Sequence, residues 1–144
     1  MELFKKDSYK DLVIANCYNT LDVLLKEGLD FSIATYTNII DFNPPIPSEI
    51  IEFDESALFT IAGFTKESAI LNKNNLSIET GFGRENYGSV LTIPLEAIMQ
   101  IFTGEDILHI SYYEPEVQVV LDSMELLLNN PENQKLLKKK VAKK

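Results

Sequence analysis

The 144-residue chain is poor in the side chains on which most enzyme chemistry depends. It has one cysteine (Cys17), one histidine (His109), one arginine (Arg84) and no tryptophan. A single cysteine excludes an internal disulfide, and zinc finds no recognisable ligand set. We find no HExxH or CxxC motif, no Ser-His-Asp set and no calcium-loop spacing of carboxylates. The sequence therefore predicts no metal, no cofactor and no enzymatic activity.

Long apolar segments are also missing. The longest charge-free runs are ten residues, whereas a bilayer helix needs about 20. The opening Met-Glu-Leu-Phe-Lys-Lys-Asp lacks the apolar stretch of a signal peptide. At 45% hydrophobic residues the chain can still build a packed core, which excludes disorder throughout. We expect one cytoplasmic domain without membrane contact.

Basic residues are scarce except at one end of the sequence. Residues 1–134 hold 7 basic and 22 acidic residues, a net charge of −15, and the remaining six lysines lie within residues 135–144. An acidic body repels phosphate backbones, so nucleic acid is an unfavourable partner. The basic tail is either a solubilising terminus or a docking peptide.

Residues 8–28 predict one amphipathic helix. Ser8 is the expected N-cap, with Asp11 in the capping-box position, and Gly28 is the expected end. Its apolar stripe is wide, which fits either a broad core face or a second contact with another subunit. The stripe consists of Val13, Ile14, Cys17, Tyr18, Leu21, Leu24 and Leu25.

After Gly28 the apolar period changes to two, which is typical of short strands. The prolines within 43–47 interrupt pairing because they lack the amide donor, and asparagines mark a turn at 72–75. The predicted strands are residues 31–39, Ile50–Phe53, Ala57–Phe64, Leu76–Phe82, Ser89–Ile93 and Asp106–Tyr113, with 76–82 and 89–93 forming a hairpin.

Two further helices are predicted. Pro94 suits a first helical position, so Leu95–Phe102 is expected to be helical up to Gly104. Residues 117–128 show helical apolar spacing and end near Asn129-Asn130-Pro131. The fold class is thus mainly β (α+β): a small, partly closed barrel of short antiparallel strands with an N-terminal and a C-terminal helix.

Binding is the remaining function, and the segment Thr80-Gly81-Phe82-Gly83-Arg84 is the candidate. Glycines at a strand end let another backbone approach closely. Phe82 offers an apolar anchor, and Arg84 can fork onto a peptide carboxylate or carbonyls. A bulged hairpin with Phe82 in the core explains the same residues. His109 and Cys17 fit structural roles in a strand and on an apolar helix stripe.

Several stretches resemble the stringent starvation protein B (SspB) family, adaptors that bring ssrA-tagged proteins to the ClpXP protease. They are Leu21–Gly28, Ile46-Pro47, Ala57–Phe64, Leu76–Gly83 and, most specifically, Val90–Phe102, which is similar to the family's Val-x-Val-Pro-x-x-Ala-Val-x-x-Ile-Tyr. The resemblance covers about residues 12–115 and implies an Sm-like, SH3-type barrel at 1–115, followed by a C-terminal helix and basic tail at 116–144.

The resemblance also implies roles for individual residues. A groove would bind an extended peptide tag, lined by Phe59, Ile61, Ile78, Thr80, Gly81, Phe82 and Gly83, and the residue pattern itself adds Arg84. The first helix would pair two subunits through Cys17, Tyr18, Leu21 and Leu25. The tail would dock on an AAA+ unfoldase similar to ClpX through Leu137, Lys138, Lys140, Val141 and Lys143.

The chain departs from the family's pattern where Arg84 replaces a glycine, and the groove region has little positive charge. We therefore expect a tag less acidic than the familiar one. The leading hypothesis is a homodimeric, non-catalytic adaptor whose partners are tagged polypeptides and an unfoldase. The alternatives are an Sm-like barrel that binds RNA or another protein, an enzyme of unrecognised kind, and a structural subunit that uses residues 116–144 as a recognition helix.

Overall fold

The computed structural model describes residues 2–115, and the expectations for the C-terminal helix and the docking tail lie outside them. The described chain is mainly β, with two antiparallel sheets and few helices. Its elements are a 3₁₀ turn (Glu2–Lys5), α1 (Asp7–Lys26), β1 (Phe31–Tyr36), β2 (Asp41–Asn43), β3 (Ser56–Ile61), α2 (Gly63–Ser68), β4 (Ile70–Leu71), β5 (Asn75–Phe82), β6 (Tyr87–Pro94), a 3₁₀ turn (Leu95–Ala97), β7 (Ile98–Thr103) and β8 (Asp106–Ile110). Sheet A has the order β3-β1-β7-β8, and sheet B has the order β2-β6-β5-β4.

Helix α1 begins one residue before the predicted cap. Its N-cap is Lys6, which makes no side-chain capping bond, so the capping role predicted for Ser8 and Asp11 is wrong. The preceding 3₁₀ turn leads directly into the helix and leaves Ser8 inside the first helical turn, where its side chain is exposed.

The end of α1 follows the prediction. Gly28 has a φ of 67°, a conformation that costs little without a Cβ. The Leu29 amide donates to the Leu24 carbonyl, and the Gly28 amide donates to the Leu25 carbonyl. These are the two bonds of a Schellman motif, so glycine ends the helix and turns the chain into β1.

The wide apolar stripe of α1 packs against the chain's own core. Val13, Cys17, Leu21 and Leu24 are buried, and the flanking Ile14, Tyr18 and Leu25 are partly buried against the same hydrophobic cluster. Of the two explanations for the wide stripe, a broad core face accounts for the burial of these four side chains without a second subunit.

Sheet A contains the main error of the sequence-based prediction. The segment predicted as a helix, Leu95–Phe102, is a short 3₁₀ turn followed by strand β7. The pairing of β7 with β1 shifts register, with Ala34 opposite Gln100 but Thr35 opposite Ile98. One extra residue in β7 lets Ile98 and Ile101 both reach the core. These two buried residues are three positions apart, a spacing that is also typical of a helix.

The segment before sheet B also differs from the prediction. Ile50–Phe53 forms no strand, and the Ile50 amide instead donates to the Pro47 carbonyl in a turn. The strand predicted to reach Phe64 ends at Ile61, because Gly63 adopts a φ of 55° and starts α2. The peptide bond Asn43–Pro44 is cis. Strands β2 and β4 were not predicted, since three and two residues show no clear alternation.

The predicted hairpin in sheet B is confirmed. Strands β5 and β6 pair without interruption from Asn75 opposite Pro94 to Phe82 opposite Tyr87. The predicted asparagine turn is present, because the Asn72 side chain accepts the amides of Asn74 and Asn75 at 2.8 and 2.7 Å. Residues 83–86 close the hairpin, and this loop is where the candidate site lies.

A single hydrophobic cluster joins α1 to both sheets. It includes Cys17 and Leu21 from α1, Ile33 from β1, and Leu76 and Leu91 from the hairpin. Most of the buried side chains within residues 2–115 are apolar, so this interior stabilises the fold. No helix within residues 2–115 is long and apolar enough to cross a bilayer.

Candidate functional site

Four phenylalanines brace the loop end of the β5–β6 hairpin. The Phe82 ring meets Phe53 edge-on at 5.6 Å between centroids and Phe59 at 6.3 Å. Phe53 also stacks on Phe42 at 5.3 Å. Such edge-to-face and stacked pairs add to the free energy of burial. The cluster therefore holds the end of β5 against β3 of sheet A.

The apolar members of the predicted groove are largely hidden. Phe59 and Phe82 are 6% and 8% exposed, and Ile61 and Ile78 are almost completely buried. These four side chains lie beneath the predicted groove and do not form its surface. For Phe82 the core position is the one that the structure shows, although β5 pairs with β6 without a bulge.

The polar and glycine members lie at the surface. Thr80 is half-buried, while Gly81, Gly83 and Arg84 are exposed. The chain's own side chains approach both glycines. A Cβ added at Gly81 would collide with Asn86 Oδ1, and one at Gly83 would lie 2.8 Å from Ile50 Cγ2. The exposed Asn86 side chain can turn away from Gly81, whereas Gly83 lies against Ile50 and has a φ of 72°, which favours glycine.

Within residues 2–115, one edge of β5 has no strand beside it near its end, and α2 packs against β5 on this side. Strand β4 pairs only with Leu76 and Ser77 of β5. Alternate residues of a strand direct their backbone groups to the same edge. The Asn75 carbonyl accepts a hydrogen bond from the Asn72 amide, and the Glu79 amide donates to the Ser68 hydroxyl. The backbone N–H and C=O groups of odd-numbered residues therefore point toward the β4 side. Exposed Gly81 therefore directs its N–H and C=O to this edge, where no strand within residues 2–115 lies beside it.

Ser68, the last residue of α2, occupies this edge just before Gly81. Its hydroxyl accepts the Glu79 amide at 2.9 Å and donates to the Thr65 carbonyl at 2.7 Å. Lys66 Nζ ties α2 to the α1–β1 loop through Asp30 Oδ1 at 2.6 Å. A side chain thus replaces a strand partner at Glu79, and the free edge begins after it.

A groove of about 500 Å³ lies at the hairpin loop that follows β5. It is lined by Glu49, Ile50, Gly83, Arg84 and Glu85. Ile50 is half-buried, and the three charged side chains are exposed. Within residues 2–115 none of these three charges takes part in a salt bridge. An open backbone edge beside a groove with available charges can bind an extended peptide.

Sequence reasoning found Gly83 and Arg84 of this groove but missed Glu49 and Ile50. It also missed Ser68 and Asn86, which shape the edge. The segment around Ile50 was predicted as a strand, and no local pattern places it opposite a loop 33 positions later. Asn86 was detectable in principle, because asparagine tolerates the positive φ of 52° that it adopts.

Cysteine and histidine are side chains that often act in catalysis, and in this chain both lie on elements other than the β5–β6 hairpin. Burial raises the pKa of the Cys17 thiol to about 12, so it stays protonated at neutral pH. Burial lowers the pKa of His109 in β8, whose Nε2 has no hydrogen-bond partner among residues 2–115. In the described chain, no three His, Cys, Asp or Glu side chains form a metal-binding group.

The predicted subunit contacts divide into two kinds. Cys17 and Leu21 are completely buried in this chain, so they can only support an interface from within. Tyr18 and Leu25 are half-buried. Tyr18 borders a second groove of about 430 Å³, lined also by Asp11, Ile14, Ala15, Asn19, Lys73 and Asn74. The predicted docking residues Leu137, Lys138, Lys140, Val141 and Lys143 lie outside the described residues.

Comparison with known proteins adds no assignment. No protein-family model matches the chain, and no curated protein matches it. What the site binds must therefore be inferred from its own backbone and side chains.

Proposed function

We propose that this protein is a non-catalytic, cytoplasmic adaptor. It binds an extended peptide tag, similar to ssrA, at the free edge of β5 and delivers tagged proteins to an AAA+ protease such as ClpXP. The observation that carries the proposal is the backbone of Gly81, which has no strand partner on the β4 side within residues 2–115, two positions before a groove with three exposed charges. The SspB resemblance of residues 12–115 suggests the same class of ligand.

Strand addition is the proposed mode of binding. A guest strand beside Gly81 would donate to its carbonyl and accept from its amide, as in other edge-binding domains. Ser68 limits pairing on one side, because its hydroxyl already holds the Glu79 amide. The guest side chains beyond Gly81 would enter the groove that Arg84 lines.

An Sm-like, SH3-type barrel is the fold proposed for residues 1–115. Two short-stranded sheets share one core, and the chain passes from β6 to β7 through a single 3₁₀ turn. Both features support a strongly curled pair of sheets. The edge that would bind the peptide belongs to β5, and one face of this strand is buried in the core. The fold therefore holds the edge rigidly.

Delivery by such an adaptor works through tethering. A substrate held beside the protease has a raised effective concentration without new contacts at the proteolytic site. Pairing of two adaptor subunits through α1 and docking by residues 137–143 complete the proposal. A pull-down from lysate, with the full chain and with a chain truncated after residue 130, tests the docking step. We expect the truncation to lose the unfoldase and to retain tagged substrates.

The binding step is tested with Thr80→Gln, which enlarges a half-buried side chain beside Gly81. Thr60→Gln is the matched control, because Thr60 is exposed on β3 of sheet A. Anisotropy of a labelled ssrA-like peptide should show weaker binding for Thr80→Gln and no change for Thr60→Gln. Thermal melts verify that both variants fold. Unchanged affinity in the Thr80 variant would rule out this edge as the binding site.

A further inference from the structure

We propose that Glu49 and Glu85 determine specificity in the groove by selecting a peptide with a lysine or arginine next to the residue that pairs with Gly81. The inference rests on the proposed function, namely that a peptide binds at the β5 edge. It adds the chemical class of that peptide and the two carboxylates that recognise it, one of which, Glu49, comes from a segment distant in sequence.

The charge of the groove supports a basic guest. Two carboxylates and one guanidinium line it, and all three are exposed. The salt bridges within residues 2–115 are Lys10–Glu96, Lys26–Asp22 and Lys66–Asp30, so none neutralises a groove residue. Residues 2–115 hold 18 acidic and 7 basic side chains. Both the local and the overall field therefore attract cations.

The backbone on both sides of the groove is held in place. Ile50 Cγ2 occupies the space where a Cβ of Gly83 would sit, so the segment that bears Glu49 packs directly on the hairpin loop. The Asn86 amide donates to the Gly83 carbonyl at 3.2 Å, which closes the loop that bears Glu85. The backbone that bears the two carboxylates therefore loses little conformational freedom when a peptide binds, and only the glutamate side chains have to be ordered.

The spacing of a guest strand fits this arrangement. Gly83 lies two residues after Gly81, a distance of about 7 Å along an extended chain. A guest side chain near the residue that pairs with Gly81 would therefore enter the groove. A lysine or arginine can lay its aliphatic stem over Ile50 and direct its charge to the carboxylates. An acidic side chain would instead meet two like charges and a single arginine.

The test uses three labelled pools of random ten-residue peptides, with lysine, glutamine or glutamate fixed at alternate positions. Anisotropy with the full chain at low salt should rank the pools lysine, glutamine, glutamate. Glu49→Gln and Glu85→Gln should each weaken the lysine pool by about 1.5- to 5-fold, the range of exposed charge pairs. Arg84→Gln should strengthen it, because a like charge is removed. Glu105→Gln, at an exposed turn between β7 and β8, should change nothing.

The outcomes separate the two proposals. Equal binding of all pools, or tighter binding of the glutamate pool, overturns the charge preference and leaves the peptide-binding function intact. Weaker binding of the lysine pool in Arg84→Gln overturns it as well. If no pool binds and the ssrA-like peptide does not bind either, the proposed function fails and this inference fails with it.

Discussion

The two halves of β5 differ in what their neighbours satisfy. In the first half, Leu76 and Ser77 pair with β6 on one edge and β4 on the other, and Leu76 and Ile78 are buried. In the second half only β6 pairs, a serine hydroxyl replaces the partner at Glu79, and Gly81 has none beside it. The first half stabilises the fold, and the second half has backbone groups left for a ligand. Three perturbations test this contrast, and a fourth tests the interior of sheet A.

The largest expected effect comes from the first half. Ile78→Ala removes a side chain that is 1% exposed and should lower the free energy of unfolding by about 2–5 kcal/mol. Urea denaturation measures this loss. Glu79→Ala is the neighbouring control, since its side chain is exposed and should cost less than about 0.5 kcal/mol. Similar losses in both variants would contradict the contrast.

The loop after the second half is tested with two glycines of similar conformation. Gly83 and Gly104 have φ values of 72° and 53°, but only Gly83 has a neighbour where a Cβ would lie. Gly104→Ala should cost about 1–2 kcal/mol from backbone strain alone. Gly83→Ala should cost about 2–4 kcal/mol, because the collision with Ile50 adds to the strain.

Both glycine variants are compared by urea denaturation and peptide anisotropy. Gly83→Ala should also weaken peptide binding, because Ile50 must move and the groove changes shape. Gly104→Ala should leave binding intact. Equal costs for the two variants would show that Ile50 yields freely and does not brace the loop.

The boundary between the two halves depends on Ser68. Ser68→Ala removes the hydroxyl that accepts the Glu79 amide and should cost about 0.5–1.5 kcal/mol. Hydrogen exchange at the Glu79 amide should accelerate, and a bound peptide should protect that amide again by extending its pairing. Ser56→Ala, at an exposed position of β3, is the control. Unchanged exchange at Glu79 would show that the serine does not cover the edge.

The smallest expected effect comes from a change of pH, which acts on a buried histidine of sheet A. Burial lowers the pKa of His109 from its ordinary value of 6.5. Below about that pH the unfolded chain takes up a proton that the folded chain resists, so stability falls as the pH falls. Urea midpoints between pH 8 and 5.5 should decline for the natural chain and stay nearly flat for His109→Gln. Identical profiles would show that His109 does not account for the decline.

Local patterns predicted those elements whose partners lie nearby in the sequence. The hairpin from Leu76 to Ile93 was correct, and the strand predicted at 31–39 is present but ends at Tyr36, because strand periodicity and turn residues act over a few positions. The helix expected at Leu95–Phe102 was wrong, because a bulge against β1 reproduced helical spacing. Of the site, Gly83 and Arg84 were identified from a local motif. Glu49 and Ser68 were not, because nothing near them in the sequence marks their position.

The sequence by itself determined the chemistry that this protein has available: an acidic body, one arginine, few potential catalytic side chains and a glycine-rich strand end. The tertiary structure alone decided that β4 stops short of Gly81, that Ser68 covers Glu79, and that Glu49 faces the hairpin loop. The physical reason is range. Hydrophobic period and turn preference are local, whereas a free strand edge exists only once the whole sheet is assembled and one partner is too short.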